Sequence, residues 1–265
     1  MKRFFSWLKS ELVDLKILLR NIPSLTISIF ILSVVCANLM ANKELISYKY
    51  LALDCGFVFS WLMFLCMDVI CKRWGARASI KVSVMALLVN LAVCGIFKLL
   101  SLAPGMWGEF YGFEDEAVAL AVNSSLNATF GGAWYVVLGS GLAFLVSSVV
   151  NAVLNVGSAK LFTRATKGKT KGFDEFAFRS YISTILAQLV DNMIFATVVS
   201  KFFFGWTWTQ VVICSCVGAV AEFLAEVLFS GIGYKIVCRW ETEQVGNGYF
   251  EYRAEKKRFE HSENR

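Results

Sequence analysis

The stretch FSWLMFLCMDVICKRWG, Phe59–Gly75, passes through nine largely apolar residues before it reaches a carboxylate at Asp68, and it then ends on Lys72 and Arg73. A run of this kind is typical of a helix that enters the bilayer and leaves it at a basic surface. The whole chain agrees, because 57% of its 265 residues are hydrophobic and only 17% are charged, against about 25% charged residues in ordinary soluble domains. The sequence therefore indicates an integral membrane protein.

Six windows contain the roughly 20 mostly apolar residues that a helix needs to cross the bilayer core. Because lipid offers the backbone no hydrogen-bonding partners, the predicted fold is all-α, an integral membrane bundle of six transmembrane helices. An interfacial amphipathic helix is expected at 1–22, the six-span domain at 23–238, and a charged, loose cytoplasmic tail at 239–265. A short surface helix is expected in the loop 104–132. The predicted spans are residues 24–41, 51–71, 80–102, 133–157, 181–204 and 210–237.

The basic residues of the connections predict the orientation. Lys and Arg are concentrated in residues 2–20, 72–81 and 160–179, whereas the loop 104–132 has no base and carries Glu109, Glu114, Asp115 and Glu116. By the positive-inside rule both termini are cytoplasmic, and the expected location is the inner, cytoplasmic cell membrane. The net charge of +6 then belongs to the inner membrane face, so we expect lipid and no nucleic acid as its partner.

Four acidic residues inside the apolar windows stand out: Asp68, Asp191, Glu222 and Glu226. A charge at mid-membrane costs about 2.5–3.5 kcal/mol on insertion scales, so each acid is a functional candidate. Helical spacing predicts that Glu222 and Glu226 share one stripe of the last span with small residues that permit close approach. They are predicted to hold a ligand or a proton, and the alternative is a structural contact with a basic neighbour. The small residues of this stripe are Gly218, Ser230 and Gly233.

Amides and hydroxyls also repeat at helical spacing in three other windows. This pattern predicts a polar central cavity, and the alternative is a scatter of hydrogen bonds between helices. Asp68 has two interpretations, since it could pair with Lys72 at i+4 near the surface or face the cavity. The three sets are Thr184, Gln188 and Asp191; Ser148, Asn151 and Asn155; and Asn38 and Asn42.

Catalysis and metal binding have little support in the sequence. The segment KGKTKG, Lys167–Gly172, lacks the upstream glycine of a phosphate-binding loop. The single histidine, His261, lies in the tail, so no serine or cysteine nucleophile has a histidine partner nearby in the sequence. The eight cysteines lie in or beside apolar runs and are interpreted as small apolar residues. We therefore expect neither an enzyme nor a cofactor or metal.

The segments ANLMANK, MDVICKRWGAR, STILAQLVDNMIF and EFLAEVLFSGIGYK together resemble the VUT family of queuosine-precursor transporters, from about residue 25 to 237. The resemblance implies a secondary carrier that imports a deazaguanine base, such as cyano- or aminomethyl-deazaguanine, or queuine. The competing hypothesis is the substrate-binding subunit of a multi-component vitamin importer. The expected partners are a nucleobase-like small molecule and the bilayer, and the oligomeric state stays open between monomer and homodimer.

The resemblance also assigns residues to the site. The family's polar positions fall on Asn38, Lys43, Asp68, Gln188, Asp191 and Glu226. The chain departs from the family pattern at Lys72, Ser148, Asn151 and Glu222, which leaves the exact base open within the deazapurine class. Asp68 and Lys72 are the candidate gate. The predicted substrate-binding residues are Asn38, Lys43, Asn151, Gln188, Asp191, Glu222 and Glu226.

Overall fold

The computed structural model describes residues 2–41, 43–48, 51–107, 116–132, 134–167 and 172–263. The chain forms an all-α bundle, as predicted, with one small antiparallel hairpin. Its elements are α1 Lys2–Asn21, α2 Ser24–Met40, β1 Glu44–Tyr48, β2 Leu51–Asp54, α3 Phe57–Trp74, α4 Ala76–Leu102, α5 Glu116–Asn127, a π-helical segment Ala128–Gly132, α6 Trp134–Ala165, α7 Phe173–Phe195, a second π-helical segment Ala196–Lys201, α8 Phe202–Phe204, α9 Trp208–Thr242 and α10 Asn247–Glu263.

Among the described residues, four helical stretches are long and apolar enough to cross a membrane: Ala76–Leu102, Glu116–Ala165, Phe173–Phe204 and Trp208–Thr242. The number is five if α1 and α2, which meet at a bend of 112°, form one span. The first predicted span corresponds to α2, which has 17 residues. The second corresponds to α3, whose 18 residues include three charged ones. The six crossings therefore stay a prediction.

The second predicted window does not begin as a helix, contrary to the expectation for residues 51–71. Residues Leu51–Asp54 form β2 and pair with β1, with Glu44 opposite Asp54. The helix begins only after Gly56, where a Cβ atom would lie 2.6 Å from the carbonyl oxygen of Ala37. Only glycine lets the chain pass so close to α2.

The centre of the bundle is α3. Every residue from Met63 to Cys71 is buried, and α3 contacts α2, α4, α6, α7 and α9. Small residues bring the other helices together. At Gly139 on α6, an added Cβ would lie 2.3 Å from a methyl group of Val199, and at Gly233 on α9 it would lie 2.8 Å from Leu65. Tight backbone approach of this kind is common between membrane helices.

One end of the bundle carries most of the Lys and Arg residues of the described connections, and we call it the basic end. It contains the α3–α4 junction and the ends of α6 and α9, and cross-contacts fix their common location. Lys72 binds Glu175 at the start of α7, and Arg73 donates to the carbonyl oxygen of Val245 after α9. The hairpin, α5 and α8 lie at the opposite end.

The predicted loose tail is wrong for residues 247–263, which form α10 and pack on α1. Asp14 of α1 is fully buried, binds Lys81 and accepts a hydrogen bond from the hydroxyl of Tyr249 at 3.3 Å. The sequence did not predict this contact, because an acid on an amphipathic helix is expected on the polar, exposed face of that helix. The predicted helices at 1–22 and in the loop 104–132 are both present, as α1 and α5.

Candidate functional site

A cavity of about 1100 Å³ opens at the end of the bundle opposite the basic end. Its walls come from α2, the hairpin, and the outer parts of α6, α7 and α9. Clefts of about 300–1,000 Å³ are usual for small ligands, so this space can accept a molecule of that class. The aromatic side chains in its walls are Phe57, Tyr135, Phe195, Phe204 and Trp206.

Of the four acids singled out in the sequence, Glu222 of α9 is the one that lines this cavity. Its Oε1 atom accepts a hydrogen bond from Ser60 Oγ at 2.5 Å, and its Oε2 atom accepts one from Asn192 Nδ2 at 3.4 Å. One turn earlier, Gly218 has no side chain, and this lets Asn192 approach. A Cβ added at Gly218 would lie 3.0 Å from the side-chain nitrogen of Asn192. Glu222 is 7% exposed, so it lies where the cavity meets the closed interior.

The hairpin supplies charge at the mouth of the cavity. Lys43, Glu44 and Asp54 all line it. The Asp54 carboxylate accepts a hydrogen bond from the backbone N–H of Gly56 at 2.7 Å. Burial nevertheless raises the pKa of Asp54 from 3.8 to about 6, with the nearby Glu44 adding to the rise. The mouth can therefore change its charge close to neutral pH.

A second polar group, the inner cluster, lies nearer the basic end and consists of Asp68, Asn151, Ser180, Thr184 and Glu226. All five residues are buried, with at most 1% exposure. Asp68 accepts hydrogen bonds from Asn151 Nδ2 at 2.7 Å, from Thr184 Oγ1 at 3.3 Å and from the Ser180 hydroxyl. The same hydroxyl contacts Glu226 Oε1. The cluster joins α3, α6, α7 and α9.

Several atoms in and beside the inner cluster have no hydrogen-bond partner among the residues that the structure describes. They are Glu226 Oε2, Asn151 Oδ1 and both polar atoms of the Gln188 side chain. Gln188 is fully buried and lies one helical turn from Thr184 on α7. Buried polar groups almost always have partners, so a set of four in one region points to a function beyond packing.

Asp191 and Asn38 take other positions. Asp191 accepts a hydrogen bond from Ser147 Oγ at 2.7 Å and is near enough to Glu222 for their charges to interact. Asn38 donates to the carbonyl oxygen of Val34 in its own helix at 2.6 Å, and its Oδ1 atom has no partner. Asn42, the other amide of the first predicted set, lies outside the described residues, as do Glu109, Glu114 and Asp115 of the loop.

Lys72 does not pair with Asp68. Its Nζ atom lies 2.8 Å from Glu175 Oε1, and the same carboxylate is 3.3 Å from Arg179 Nη1. Arg179 also donates to Asn155 Oδ1 at 2.7 Å. The i+4 interpretation fails because Asp68 points into the bundle, where α6 and α7 supply its hydrogen-bond donors.

The predicted site is thus divided in two. Lys43 and Glu222 line the cavity, whereas Asn151, Gln188, Glu226 and Asp68 belong to the closed interior. The residues that sequence reasoning missed are Ser60, Asp54, Asn192, Ser180 and Glu175. Of these, Ser180 carried a signal, because it extends the predicted stripe of Thr184 and Gln188 by one turn.

The predicted stripe on α9 is confirmed. Gly218, Glu222, Glu226, Ser230 and Gly233 are all buried, and Ser230 shares a hydrogen bond with the Tyr181 hydroxyl at 2.9 Å. The two acids differ in their surroundings, however, because one reaches the cavity and the other lies in the inner cluster. Spacing predicted their common face, and the depth of the cavity separates them.

A protein-family model described as "Putative vitamin uptake transporter" matches residues 54–238. The match runs from the end of β2 to the last part of α9 and so covers more than half of the chain, including the cavity walls from Asp54 onward and the whole inner cluster. No curated protein and no solved structure matches the chain.

Proposed function

The chain belongs to the vitamin uptake transporter family, and from that premise we propose that it is a secondary carrier for a queuosine precursor of the deazaguanine class. The proposed direction is import across the cytoplasmic membrane. Both termini are proposed to face the cytoplasm, because the basic end follows the positive-inside rule. The cavity then opens to the outside, where the substrate arrives.

One observation carries this proposal: a carboxylate lies at the inner limit of the cavity and is held by two neutral donors. Ser60 and Asn192 orient Glu222, and no salt bridge among the described residues involves it. A guanine-like ring presents two adjacent N–H groups on one edge, and a carboxylate can accept both at once. The Glu222 carboxylate is therefore free to exchange its weak 3.4 Å contact with Asn192 for a charge-assisted pair from the ligand.

The walls of the cavity suit the rest of such a ligand. Flat rings stack on aromatic side chains at small cost in conformational entropy, and Tyr135 and Trp206 both line the space. Tyr135 is itself held by a stacked contact with Phe203, with ring centroids 4.4 Å apart. Asp54 and Lys43 at the mouth can bind a polar substituent on the ring. A 7-deazaguanine has a carbon in place of N7 of guanine, and that carbon carries the substituent.

Thermal stabilisation of the purified protein tests the substrate class. The probes are 7-cyano-7-deazaguanine, 7-aminomethyl-7-deazaguanine and queuine, with guanine and adenine for comparison. A ligand at 100 times its Kd stabilises the folded state by about 2.7 kcal/mol, which gives a measurable rise in melting temperature. Adenine lacks the paired N–H donors and should give none. Equal shifts with adenine, or no shift with any deazaguanine, would overturn the substrate assignment.

Uptake into lipid vesicles that contain only this protein tests the carrier mechanism. Saturable uptake without ATP or a second protein is expected for a secondary carrier. Binding without uptake would instead support the competing hypothesis, in which the chain is the substrate-binding subunit of a multi-component vitamin importer. The absence of both binding and uptake would favour a scaffold or a sensor.

A further inference from the structure

We propose that Asp68 and Glu226 share one proton through the hydroxyl of Ser180, and that this proton is transported together with the substrate. The inference rests on the proposed carrier function and assigns a separate task to the inner cluster. Glu222 binds the substrate in the cavity, whereas the inner cluster binds the ion that drives accumulation.

Hydrogen-bond geometry is the first reason. Ser180 Oγ contacts one carboxylate oxygen of Asp68 and one of Glu226, but a serine hydroxyl has a single hydrogen to donate. Only one acid can receive it. The other acid must itself carry a proton and donate to the oxygen of Ser180, or the contact would be between two acceptors. With one shared proton, both contacts of the Ser180 hydroxyl have a donor and an acceptor.

The absence of a neutralising base is the second reason. No salt bridge among the described residues involves Asp68 or Glu226, and both side chains are fully buried. The cationic side chain nearest in sequence to Ser180 is Arg179, and it is directed to Asn155 and Glu175. Two unpaired carboxylates in a dry interior are far more costly than one, so the cluster is stable only when it holds a proton.

Three other titratable groups on the surrounding helices have partners of their own. On α3, the Cys71 thiol lies 3.7 Å from the carbonyl oxygen of Ala152, to which it donates. On α7, Asp191 is bound by Ser147. On α9, Glu222 is bound by Ser60. The segment of α6 that faces the cluster contributes the neutral side chain of Asn151.

The unpartnered atoms supply the third reason, because they mark a route toward the cavity. Ser180, Thr184, Gln188 and Asn192 succeed one another at four-residue intervals along α7, on one face of that helix. Glu226 and Glu222 do the same on the facing α9. The fully buried Gln188 has a donor and an acceptor without partners among the described residues, and it lies midway on this ladder. The polar side chains of the ladder thus mark a path between the cavity and the cluster.

Sodium is the other ion that such a group of oxygens could attract. The direct contacts of the Ser180 hydroxyl with both acids favour the proton, since oxygens in hydrogen-bond contact leave no space for a metal ion between them. A sodium gradient that drives accumulation at equal pH on both sides would overturn the proposal.

The transport experiment compares three variants in vesicles, with radiolabelled 7-cyano-7-deazaguanine as probe. Asp68→Asn and Glu226→Gln should bind the probe within about threefold of wild type and exchange it across the membrane, but a pH gradient should no longer drive its accumulation. Glu222→Gln should show the opposite result, with weaker binding and retained driving by the gradient. Glu241→Gln, an exposed acid on α9, is the matched control and should behave as wild type. Normal pH-driven accumulation in Asp68→Asn or Glu226→Gln would overturn the coupling role.

An infrared measurement tests the shared proton without any substrate. At neutral pH the wild type should show the carbonyl stretch of a protonated carboxyl group, and the double variant Asp68→Asn/Glu226→Gln should lose part of that band. An unchanged band in a double variant that elutes as a single species in size-exclusion chromatography would overturn the shared proton. If the wild type neither binds nor takes up any probe, the proposed function is wrong, and the infrared band alone then decides the proton site.

Discussion

Replacing Glu222 by Gln separates a ligand-binding carboxylate from a structural one. Gln keeps the length of the side chain and one carbonyl oxygen, which can still accept the 2.5 Å hydrogen bond of Ser60 Oγ. It removes the negative charge. A ligand that donates two N–H groups to the carboxylate then loses a charge-assisted contact of about 1.5–3 kcal/mol. Because each 1.4 kcal/mol is about tenfold in affinity, we expect Kd to rise about 10- to 100-fold.

The stability of this variant should not fall. A charge inside the membrane region costs about 2.5–3.5 kcal/mol on insertion scales, and the neutral amide avoids that cost while it keeps the contact with Ser60. An unchanged or higher melting temperature with weaker binding is the expected combination. A purely structural carboxylate predicts the reverse combination, a lower melting temperature with normal binding in the folded fraction.

Equilibrium dialysis of 7-cyano-7-deazaguanine against purified protein measures the affinity, and a fluorescence melting curve on the same sample measures the stability. Glu241→Gln makes the same chemical change on the same helix but at an exposed position, so neither value should change. A Glu222→Gln protein that binds within threefold of wild type would refute the assignment of Glu222 to the ligand.

Three further predictions concern the frame of the site. Gly139→Ala should lower the melting temperature, because α6 touches the second π-helical segment there and overpacking costs about 1–3 kcal/mol. Gly157→Ala should not lower it, because an added Cβ there meets nothing within 4 Å. Equal melting temperatures for the two variants would contradict this contact. Burial raises the pKa of Asp54 from 3.8 to about 6, so the folded state binds the proton more tightly than the unfolded state. The contribution of this proton to the free energy of unfolding is full below about pH 4 and is lost as the pH rises through about 6. The melting temperature of the wild type relative to Asp54→Asn should fall across that window, and a constant difference would be the contrary result. Lys72→Met should cost about 1 kcal/mol or less and leave probe binding unchanged, because Lys72 pairs with Glu175; lost binding in folded protein would contradict a role limited to that ion pair.

Periodicity predicted the faces of the helices well. The stripe that contains Glu222 and Glu226 is buried along its length, and the predicted face of α7 holds Thr184 and Gln188 inside the bundle. The reason is that side-chain direction follows directly from 3.6 residues per turn. An amphipathic or polar stripe in an apolar helix can turn only toward other helices, so its burial follows from the sequence alone.

Periodicity does not predict how deep a side chain lies in the bundle or which helices are its neighbours. Glu222 and Glu226 are one turn apart, yet one reaches the cavity and the other contacts Ser180. One of the two interpretations of Asp68 paired it with Lys72, because the i+4 pair is local, whereas its donors come from α6 and α7. Contacts between helices distant in sequence depend on which helices are neighbours, and one sequence does not contain that information.

The hairpin and α10 illustrate a second limit. Residues 51–54 are apolar enough to continue a span, but pairing with Glu44–Tyr48 satisfies their backbone groups and leads the chain across the mouth of the cavity. The segment 247–263 is polar enough to be a free tail, but Tyr249 is 3% exposed and lies against Asp14. In both cases tertiary contacts override a correct estimate of local polarity.

As the proposed carrier, the protein must close the cavity and open the basic end in turn. The way from the cavity to the basic end crosses two closed layers, the inner cluster and the ion pair of Lys72 with Glu175. Both layers join α3 to α7, and both consist of polar contacts, each with a net value of about 0.5–3 kcal/mol. The helix interface that must separate is therefore closed by a small number of exchangeable contacts, and the proton proposed for the inner cluster is one that a change of state can release.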